Sequence, residues 1–261
     1  MRAQSGESGN GGIDLVISAA SLRSGSTLLQ RIFNARRNTL IWGEHRGCLT
    51  DFCHIYKNIL GASNKWGETR EEFFGNGENP NIWVATMVPS PKYIEEAILR
   101  SVKTFLNSLY QENNEGHDIV GFKEVRYGRD ELNLFRKCYP DAQIILLIRN
   151  PIHSWESYPK DWEDYRSADH FAEQWNKNVS FYLEFAQTDT STHLIQYEKL
   201  VEKEPSTIKL ISELGQLTDE EIDYVLSNKI SGTNQQKSIN NDAIKMINDI
   251  CKKNMEQLEY L

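Results

Sequence analysis

Two short apolar segments constrain the fold more than any other feature of this chain. Ile13–Ala20 and Gln143–Ile148 are apolar at both odd and even positions, which is typical of strands buried on both faces. Ile119–Lys123 and His193–Gln196 are further strand candidates. Because segments with helical periodicity separate them, the sequence predicts an α/β fold: a three-layer α/β/α arrangement with a central parallel sheet and a helical C-terminal portion.

The helices are predicted from apolar residues that recur every three or four positions. This pattern begins near Thr27 and recurs in Arg46–Leu60, Pro91–Leu109, Asp130–Cys138, Ala168–Ala186 and from Glu198 onward. The Gly- and Asn-rich stretch Gly61–Asn81 is predicted to be an exposed loop. Asn150 is a good helix cap and Pro151 a good first helical residue, so a helix is expected directly after the strand that ends at Ile148.

Composition indicates one globular protein. The chain has 261 residues, 39% hydrophobic and 25% charged, and no run near the roughly 18 apolar residues of a membrane helix. We expect residues 1–12 to form a flexible tail and residues 13–261 a single domain. The polar tail and four scattered cysteines favour a cytoplasmic protein with reduced thiols. A net charge of −8 argues against a nucleic-acid partner, and we expect a monomer or homodimer without a membrane partner.

A P-loop-like segment follows the first strand. Small residues in Ser21–Thr27 allow backbone N–H groups to converge on an anion at a helix N-terminus. Compared with the motif G-x-x-x-x-G-K-[ST], Gly25 and Thr27 fit, but Ser26 occupies the lysine position. Arg23 supplies the cation instead, and no strand-terminal Asp is evident to hold magnesium. The segment therefore suits an anionic donor handled without Mg²⁺.

Five segments together resemble the sulfotransferase superfamily that uses 3′-phosphoadenosine 5′-phosphosulfate (PAPS): LRSGSTLLQRIF, WGEH, GFKEVRYG, ILLIRNPIHSWESY and IQYEKLV. The resemblance extends over residues 13–205. It implies that the first loop holds the 5′-phosphosulfate, through Arg23, Ser24, Gly25, Ser26, Thr27 and Leu28. It further implies that Arg149 and Ser157 hold the 3′-phosphate, that Tyr197 lies near the cofactor, and that Lys237 belongs to a loop closing over the nucleotide.

Sulfuryl transfer sets the requirements for the reacting centre. Negative charge grows on the leaving phosphate, so cations must stabilise it, and the acceptor must lose a proton. Arg23 is the first candidate cation and Lys123, at the end of a predicted strand, the second. Arg126 is the third candidate. The alternative for Lys123 and Glu124 is a solvated ion pair beyond the strand.

The candidate bases are Glu44 and His45. Trp42–His45 resembles a Gly-Glu-Glu stretch of the members that sulfate protein tyrosines, in which a Glu acts as base, but His45 replaces the second acid. Either side chain can serve as a base. We favour Glu44 slightly, while a capping role at the following helix is its alternative.

The expected function is therefore a PAPS-dependent sulfotransferase. It would transfer a sulfuryl group to a hydroxyl or amine of a small metabolite by in-line displacement, with a general base and no metal, leaving 3′-phosphoadenosine 5′-phosphate (PAP). No metal is expected because the spacing of His45, Cys48, Cys53 and His54 matches no usual zinc ligand pair. The alternatives are a P-loop kinase or nucleotide-binding protein, and a bacterial-type protein-tyrosine sulfotransferase.

The acceptor is predicted from two weaker features. Glu44, Asp51 and Glu68 favour a cationic or polar acceptor. Aromatic side chains are available to line its pocket or to pack in the core: Trp42, Phe52, Trp66, Trp83 and Tyr93.

Overall fold

The computed structural model describes residues 12–159, 167–228 and 240–261. A sheet of five parallel strands lies at its centre, in the order β2-β3-β1-β4-β5. The strands are β1 (Leu15–Ala19), β2 (Thr39–Trp42), β3 (Ile119–Glu124), β4 (Gln143–Ile148) and β5 (Thr192–Gln196). This confirms the predicted parallel α/β fold, and β2 is a strand that the sequence analysis missed. Apart from Gly12, the predicted tail lies outside the described residues.

Helices cover both faces of the sheet. They are α1 (Ser26–Phe33), α2 (Cys48–Lys65), α3 (Gly67–Gly75), α4 (Pro91–Leu106), α5 (Arg129–Cys138), α6 (Pro151–Glu156), α7 (Ala168–Thr188), α8 (Tyr197–Val201), α9 (Pro205–Gly215), α10 (Asp219–Ser227) and α11 (Asn241–Gln257). One π-helical turn, Asn107–Gln111, continues α4. In the described part of the chain, no helix is both long and apolar enough to cross a bilayer.

The predicted loop Gly61–Asn81 is wrong over most of its length. Helix α2 continues through Gly61 to Lys65, and α3 follows almost at once. Gly61 lies on an open side of α2, where an added Cβ would meet nothing within 4 Å. A glycine there lowers helix propensity by only about 1 kcal/mol, which does not end a long helix.

The alternation of side chains along β1 divides the core into two halves. Val16 and Ala20 belong to the apolar cluster beneath α2, α4, α5, α7 and α11. Leu15, Ile17 and Ala19 belong to the cluster beneath α1, α9 and α10. Successive strand residues point to opposite faces, so a strand that is apolar throughout requires helices on both sides. The three-layer arrangement follows from this pattern.

Strand register brings the functional segments to one edge. Ser18 of β1 pairs with Glu124 of β3, and Ala19 pairs with Leu147 of β4. The loops that follow β1, β3, β4 and β5 therefore leave the sheet at its carboxyl edge, where open α/β sheets bind ligands.

The edge strand β2 is short, and side chains from α1 and from its C-cap residue Asn34 bind its backbone. The Asn34 amide donates to the Ile41 carbonyl at 3.0 Å and accepts its N–H at 2.7 Å. Gln30 donates to the same carbonyl at 2.8 Å. These bonds satisfy backbone groups at an otherwise open edge, and they fix the point from which the chain continues to Glu44.

Candidate active site

The loop after β1 is shaped by two residues with left-handed backbone. Arg23 has φ 63° and Gly25 φ 85°, and Gly25 caps α1. A Cβ on Gly25 would lie 2.2 Å from the ring of Tyr197, so only glycine fits this turn. The loop therefore presents the Ser26 and Thr27 N–H groups, which have no intrahelical acceptor, beside the Tyr197 ring, while the Leu28 N–H donates to the Gly25 carbonyl at 2.9 Å.

The structure joins the two predicted phosphate-binding segments. Arg23 Nε donates to the Ser157 carbonyl at 2.8 Å, and Arg149 Nη1 donates to the Arg23 carbonyl at 2.8 Å. The Arg149 guanidinium also lies 4.6 Å from the centre of the Tyr197 ring, a cation–π geometry. Residues 21–28, Arg149, Ser157 and Tyr197 form one cluster, which we call the anion site.

Several polar atoms of the anion site and its surroundings have no partner among the described residues. The buried atoms Ser21 Oγ, Arg149 Nε and Ser154 Oγ make no hydrogen bond there. Buried polar groups are normally hydrogen-bonded, and a guanidinium, hydroxyls and a helix N-terminus are the donors that phosphate groups use in proteins. The residues present therefore fit a bound polyanion.

The predicted donor-binding residues differ in how accessible their side chains are to a ligand. The Ser24 side chain is buried and donates to the Ser21 carbonyl at 2.7 Å, so it shapes the loop. Ser26 is buried, Leu28 is half-buried and Thr27 is exposed at the first turn of α1. Ser157 Oγ donates to the Ser154 carbonyl at 2.9 Å and would have to turn to reach a ligand. Lys237 lies outside the described residues.

A second group, which we call the charge cluster, contains Glu44, Lys123, Glu124 and Arg126. Lys123 Nζ donates to Glu44 Oε1, and Arg126 Nη1 lies 3.1 Å from Glu44 Oε2. The Lys123 side chain is 7% exposed and that of Glu44 29% exposed. Lys123 and Glu124 are thus buried members of β3, and the alternative of a solvated ion pair beyond the strand is wrong.

Glu124 holds the charge cluster in place through its hydrogen bonds, and sequence reasoning missed that role. Its side chain is fully buried and accepts the Gly47 N–H at 2.7 Å, the Val125 N–H at 2.9 Å and Arg126 Nη1 at 2.5 Å. It therefore fixes Arg126 beside Glu44. The available signal was an acidic residue at the end of a strand, IVGFKE, whose first four residues carry no charge.

Two opposing effects act on the pKa of Glu44. Partial burial works to raise the pKa, but the hydrogen bond and charge of Lys123, together with those of Arg126, outweigh it. The pKa of Glu44 therefore lies below its ordinary value, and the side chain is ionised at neutral pH.

His45 points away from Glu44 into an aromatic pocket. Its Nδ1 accepts the Cys48 N–H at 3.2 Å, which places the proton of the neutral ring on Nε2, 3.1 Å from the Tyr127 hydroxyl. The ring packs edge-on against Phe122 at 4.8 Å. Burial lowers the pKa of His45, against the raising effect of Glu124. Both ring nitrogens are engaged in holding the turn that carries Glu44.

The residues considered for zinc form no ligand set. His45 approaches Cys48, but His54 is exposed on α2, and burial raises the pKa of the Cys53 thiol to about 12. Within the described ranges, no group of three or more His, Cys, Asp or Glu side chains is arranged to hold a metal ion.

The fold and the anion site define a class of protein: an α/β protein with a parallel sheet, in which the first strand is followed by a turn of small residues and a helix N-terminus. The sequence model of a family described as "Sulfotransferase family" matches residues 19–221. The chain belongs to the sulfotransferase family, and sulfuryl transfer is the reaction that this membership supports. A comparison with curated proteins found no match.

Solved structures show the same fold. The sulfotransferase domain of the Synechococcus PCC 7002 olefin synthase superposes with a TM-score of 0.56 at 16% identity, covering 99% of both chains. The sulfotransferase domain of the curacin biosynthetic pathway gives a TM-score of 0.52 at 16% identity, covering 95% of this chain and 98% of that one. Sulfotransferase STF9 from Mycobacterium avium gives 0.51 at 11%, covering 95% and 77%.

Proposed function

We propose that this sulfotransferase uses PAPS as its donor and sulfates a hydroxyl or amine of a small molecule. The observation that carries the proposal is the pair of hydrogen bonds that link Arg23 to Ser157 and Arg149 to Arg23. The residues that these bonds join are 134 and 126 residues apart in the sequence, so two segments suited to anions lie together at one edge of the sheet. A donor with separate phosphosulfate and phosphate groups matches two such segments.

The anion site divides between the two ends of that donor. Arg23, Ser24, Gly25, Ser26, Thr27 and Leu28 lie where the N-terminus of α1 favours the 5′-phosphosulfate. Arg149, with its unpartnered Nε, and Ser157 suit the 3′-phosphate, and the Tyr197 ring supports the Arg149 guanidinium. PAPS supplies the activated sulfuryl group when bound.

The charge cluster supplies the proton acceptor. Glu44 is ionised and partly exposed, whereas His45 has both ring nitrogens engaged. We therefore assign general base catalysis to Glu44: its carboxylate takes the acceptor proton as the acceptor oxygen or nitrogen bonds to sulfur. The bond between sulfur and the phosphate oxygen breaks in line, and the electron pair remains on the departing phosphate.

In this proposal Lys123 takes part both in proton acceptance by Glu44 and in stabilising the leaving phosphate. Its ammonium pairs with Glu44 in this structure, and we assign Lys123 and Arg23 as the cations that stabilise the charge developing on the leaving phosphate. If Lys123 turns toward that charge, Glu44 loses the stronger of the two interactions that lower its pKa, while that with Arg126 remains. The proton affinity of Glu44 then rises in the step in which it accepts a proton. In this proposal arginine and lysine, rather than a metal ion, neutralise the donor.

The proposal is tested by calorimetric titration of the purified protein with PAP, beside ATP with and without Mg²⁺. We expect PAP to bind tightly and independently of metal, and ATP to bind weakly in either condition. A preference for Mg-ATP would support the kinase or nucleotide-binding alternative and would overturn PAPS as the donor.

A further inference from the structure

The peptide group that joins Arg149 to Asn150 is held on both sides. Its carbonyl accepts a hydrogen bond from Trp175 Nε1 at 3.1 Å, and its N–H donates to Glu198 Oε1 at 3.0 Å. In a planar trans peptide group the carbonyl and the N–H point in opposite directions. The two bonds therefore fix the orientation of the chain at the point where Arg149 follows β4.

Glu198 places a carboxylate beside the anion site. It follows Tyr197, whose ring lies 4.6 Å from the Arg149 guanidinium. Within the described part of the chain, no lysine or arginine forms an ion pair with Glu198, and His153 Nδ1 approaches it only to 3.9 Å. Because a carboxylate repels a phosphate, the charge of Glu198 does not favour an anionic ligand. The use of Glu198 at this place lies in the hydrogen bonds that it accepts.

The second carboxylate oxygen of Glu198 is held by Tyr260, 62 residues further along the chain. The Tyr260 hydroxyl donates to Glu198 Oε2 at 2.9 Å. Burial and the adjacent Glu198 carboxylate raise the pKa of Tyr260, so the hydroxyl keeps its proton at neutral pH and remains a donor. Tyr260 lies beyond residues 19–221, which match the family model, and sequence reasoning gave it no role.

The turn after α11 determines where Tyr260 lies. The chain reverses at Glu259, which has φ 60°, and the Tyr260 N–H donates to the Met255 carbonyl at 2.9 Å. That bond closes a Schellman motif, in which the left-handed residue is usually glycine. Gln196, the last residue of β5, donates to the Leu258 carbonyl at 2.7 Å. The turn is therefore fixed to the strand that leads into α8.

We propose that Glu198 and Tyr260 are positioning residues for the donor site. Tyr260 fixes the carboxylate of Glu198, and Glu198 fixes the peptide group after Arg149, so that the guanidinium is directed at the 3′-phosphate. Both residues act through Arg149 rather than by contact with the donor. This inference rests on the proposed function, and it makes the turn after α11 part of the support of the anion site.

The hydrogen bonds of Glu198 are tested by calorimetric titration of PAP. Tyr260→Phe removes only the hydroxyl that holds Glu198 Oε2, and PAP should bind about fivefold more weakly. Glu198→Ala and Glu198→Gln both remove the charge, but the glutamine keeps an oxygen for the Asn150 N–H. PAP should therefore bind about tenfold more weakly to Glu198→Ala than to Glu198→Gln.

The route through Arg149 is tested by a double-mutant cycle. In the Arg149→Ala protein, Tyr260→Phe should no longer change the affinity for PAP, because the guanidinium that Tyr260 positions is absent. A purely structural role of Tyr260 would weaken PAP binding by the same factor with and without Arg149. Tyr139→Phe is the matched control, since its hydroxyl donates to Asn107 Oδ1 at 2.8 Å near the amino end of β4, and its loss should leave PAP binding unchanged.

PAP binding to the wild-type protein is measured first, and chemical denaturation shows that each variant is folded. No binding of PAP to wild type would contradict the proposed donor, which separates that failure from failure of the positioning role. If wild type binds PAP, equal affinities of wild type, Tyr260→Phe and Glu198→Ala would overturn the positioning role. Equal losses from Tyr260→Phe with and without Arg149 would overturn it as well.

Discussion

The anion site and the charge cluster lie at the same edge of the sheet but are held together differently. In the anion site, the cross-connections end on backbone: Arg23 donates to the Ser157 carbonyl and Arg149 to the Arg23 carbonyl. In the charge cluster, side chains hold side chains, through Lys123, Glu44 and Arg126. Replacing Arg23 or Arg149 removes one donor and leaves its carbonyl acceptor in place, whereas replacing Glu44 removes the shared partner of Lys123 and Arg126. The charge cluster is therefore the more sensitive of the two to single changes.

The largest effect is expected at the exposed end of the charge cluster. Glu44→Gln removes the proton acceptor but keeps the shape of the side chain, and kcat should fall by about 10²–10⁴-fold. His45→Gln should lower kcat much less, because His45 only holds the turn. Turnover with PAPS and a small hydroxyl or amine acceptor checks both. Full activity of Glu44→Gln beside an inactive His45→Gln would assign the base to His45.

The next effect is expected on stability at the buried end of the same cluster. Glu124→Ala leaves the Gly47 and Val125 N–H groups and Arg126 without their acceptor, and should lower the free energy of unfolding by about 3 kcal/mol. Chemical denaturation measures this loss.

The matched control is Glu184→Ala, which removes an exposed partner of Arg129 and should leave stability nearly unchanged. Equal stabilities of the Glu124→Ala and Glu184→Ala proteins would show that Glu124 is not the support of the cluster.

A smaller effect is expected when the anion site is changed. Arg149→Ala should weaken PAP binding by about 2 kcal/mol, as for the loss of a charged bidentate contact, with little effect on folding. Arg149→Lys should recover only part of the affinity, because an ammonium lacks the planar fork. Unchanged affinity for PAP in Arg149→Ala would remove Arg149 from the donor site.

The smallest effect is the pH dependence of the Glu44 ion pair. Because the pKa of Glu44 is lowered in the folded protein from an ordinary value of 4.5, its contribution to stability is present above that value and is lost as the pH falls through the folded pKa. Wild-type protein should be more stable than Glu44→Gln at pH 7, and the difference should shrink below pH 4.5. A difference that stays constant on acidification would contradict the ion pair.

The sequence revealed the anion site because its parts are local. A buried strand followed by small residues and a helix, and Asn150 capping Pro151, are patterns within a few residues of each other. The Asn150 side chain does accept the Ile152 N–H at 2.9 Å. Joining the two segments required the resemblance, since nothing local indicates that Arg23 reaches Ser157.

The charge cluster was only partly predictable. Glu44 and Lys123 were separate candidates, but their contact spans 79 residues and depends on β2, whose four residues carry too weak a signal to be assigned. Whether Lys123 and Glu124 were solvated or buried depended on the end of β3, and element ends are poorly determined by local pattern. The orientation of His45 depends on Tyr127, which lies 82 residues away.

The separate roles of the anion site in donor binding and of the charge cluster in proton transfer are tested most directly by one experiment. PAP is titrated calorimetrically into wild-type, Arg149→Ala and Glu44→Gln proteins under one set of conditions. If the anion site holds the donor and the charge cluster moves the proton, Arg149→Ala should bind PAP about thirtyfold more weakly and Glu44→Gln should bind it as well as wild type. Loss of PAP binding in Glu44→Gln with none in Arg149→Ala would contradict the account.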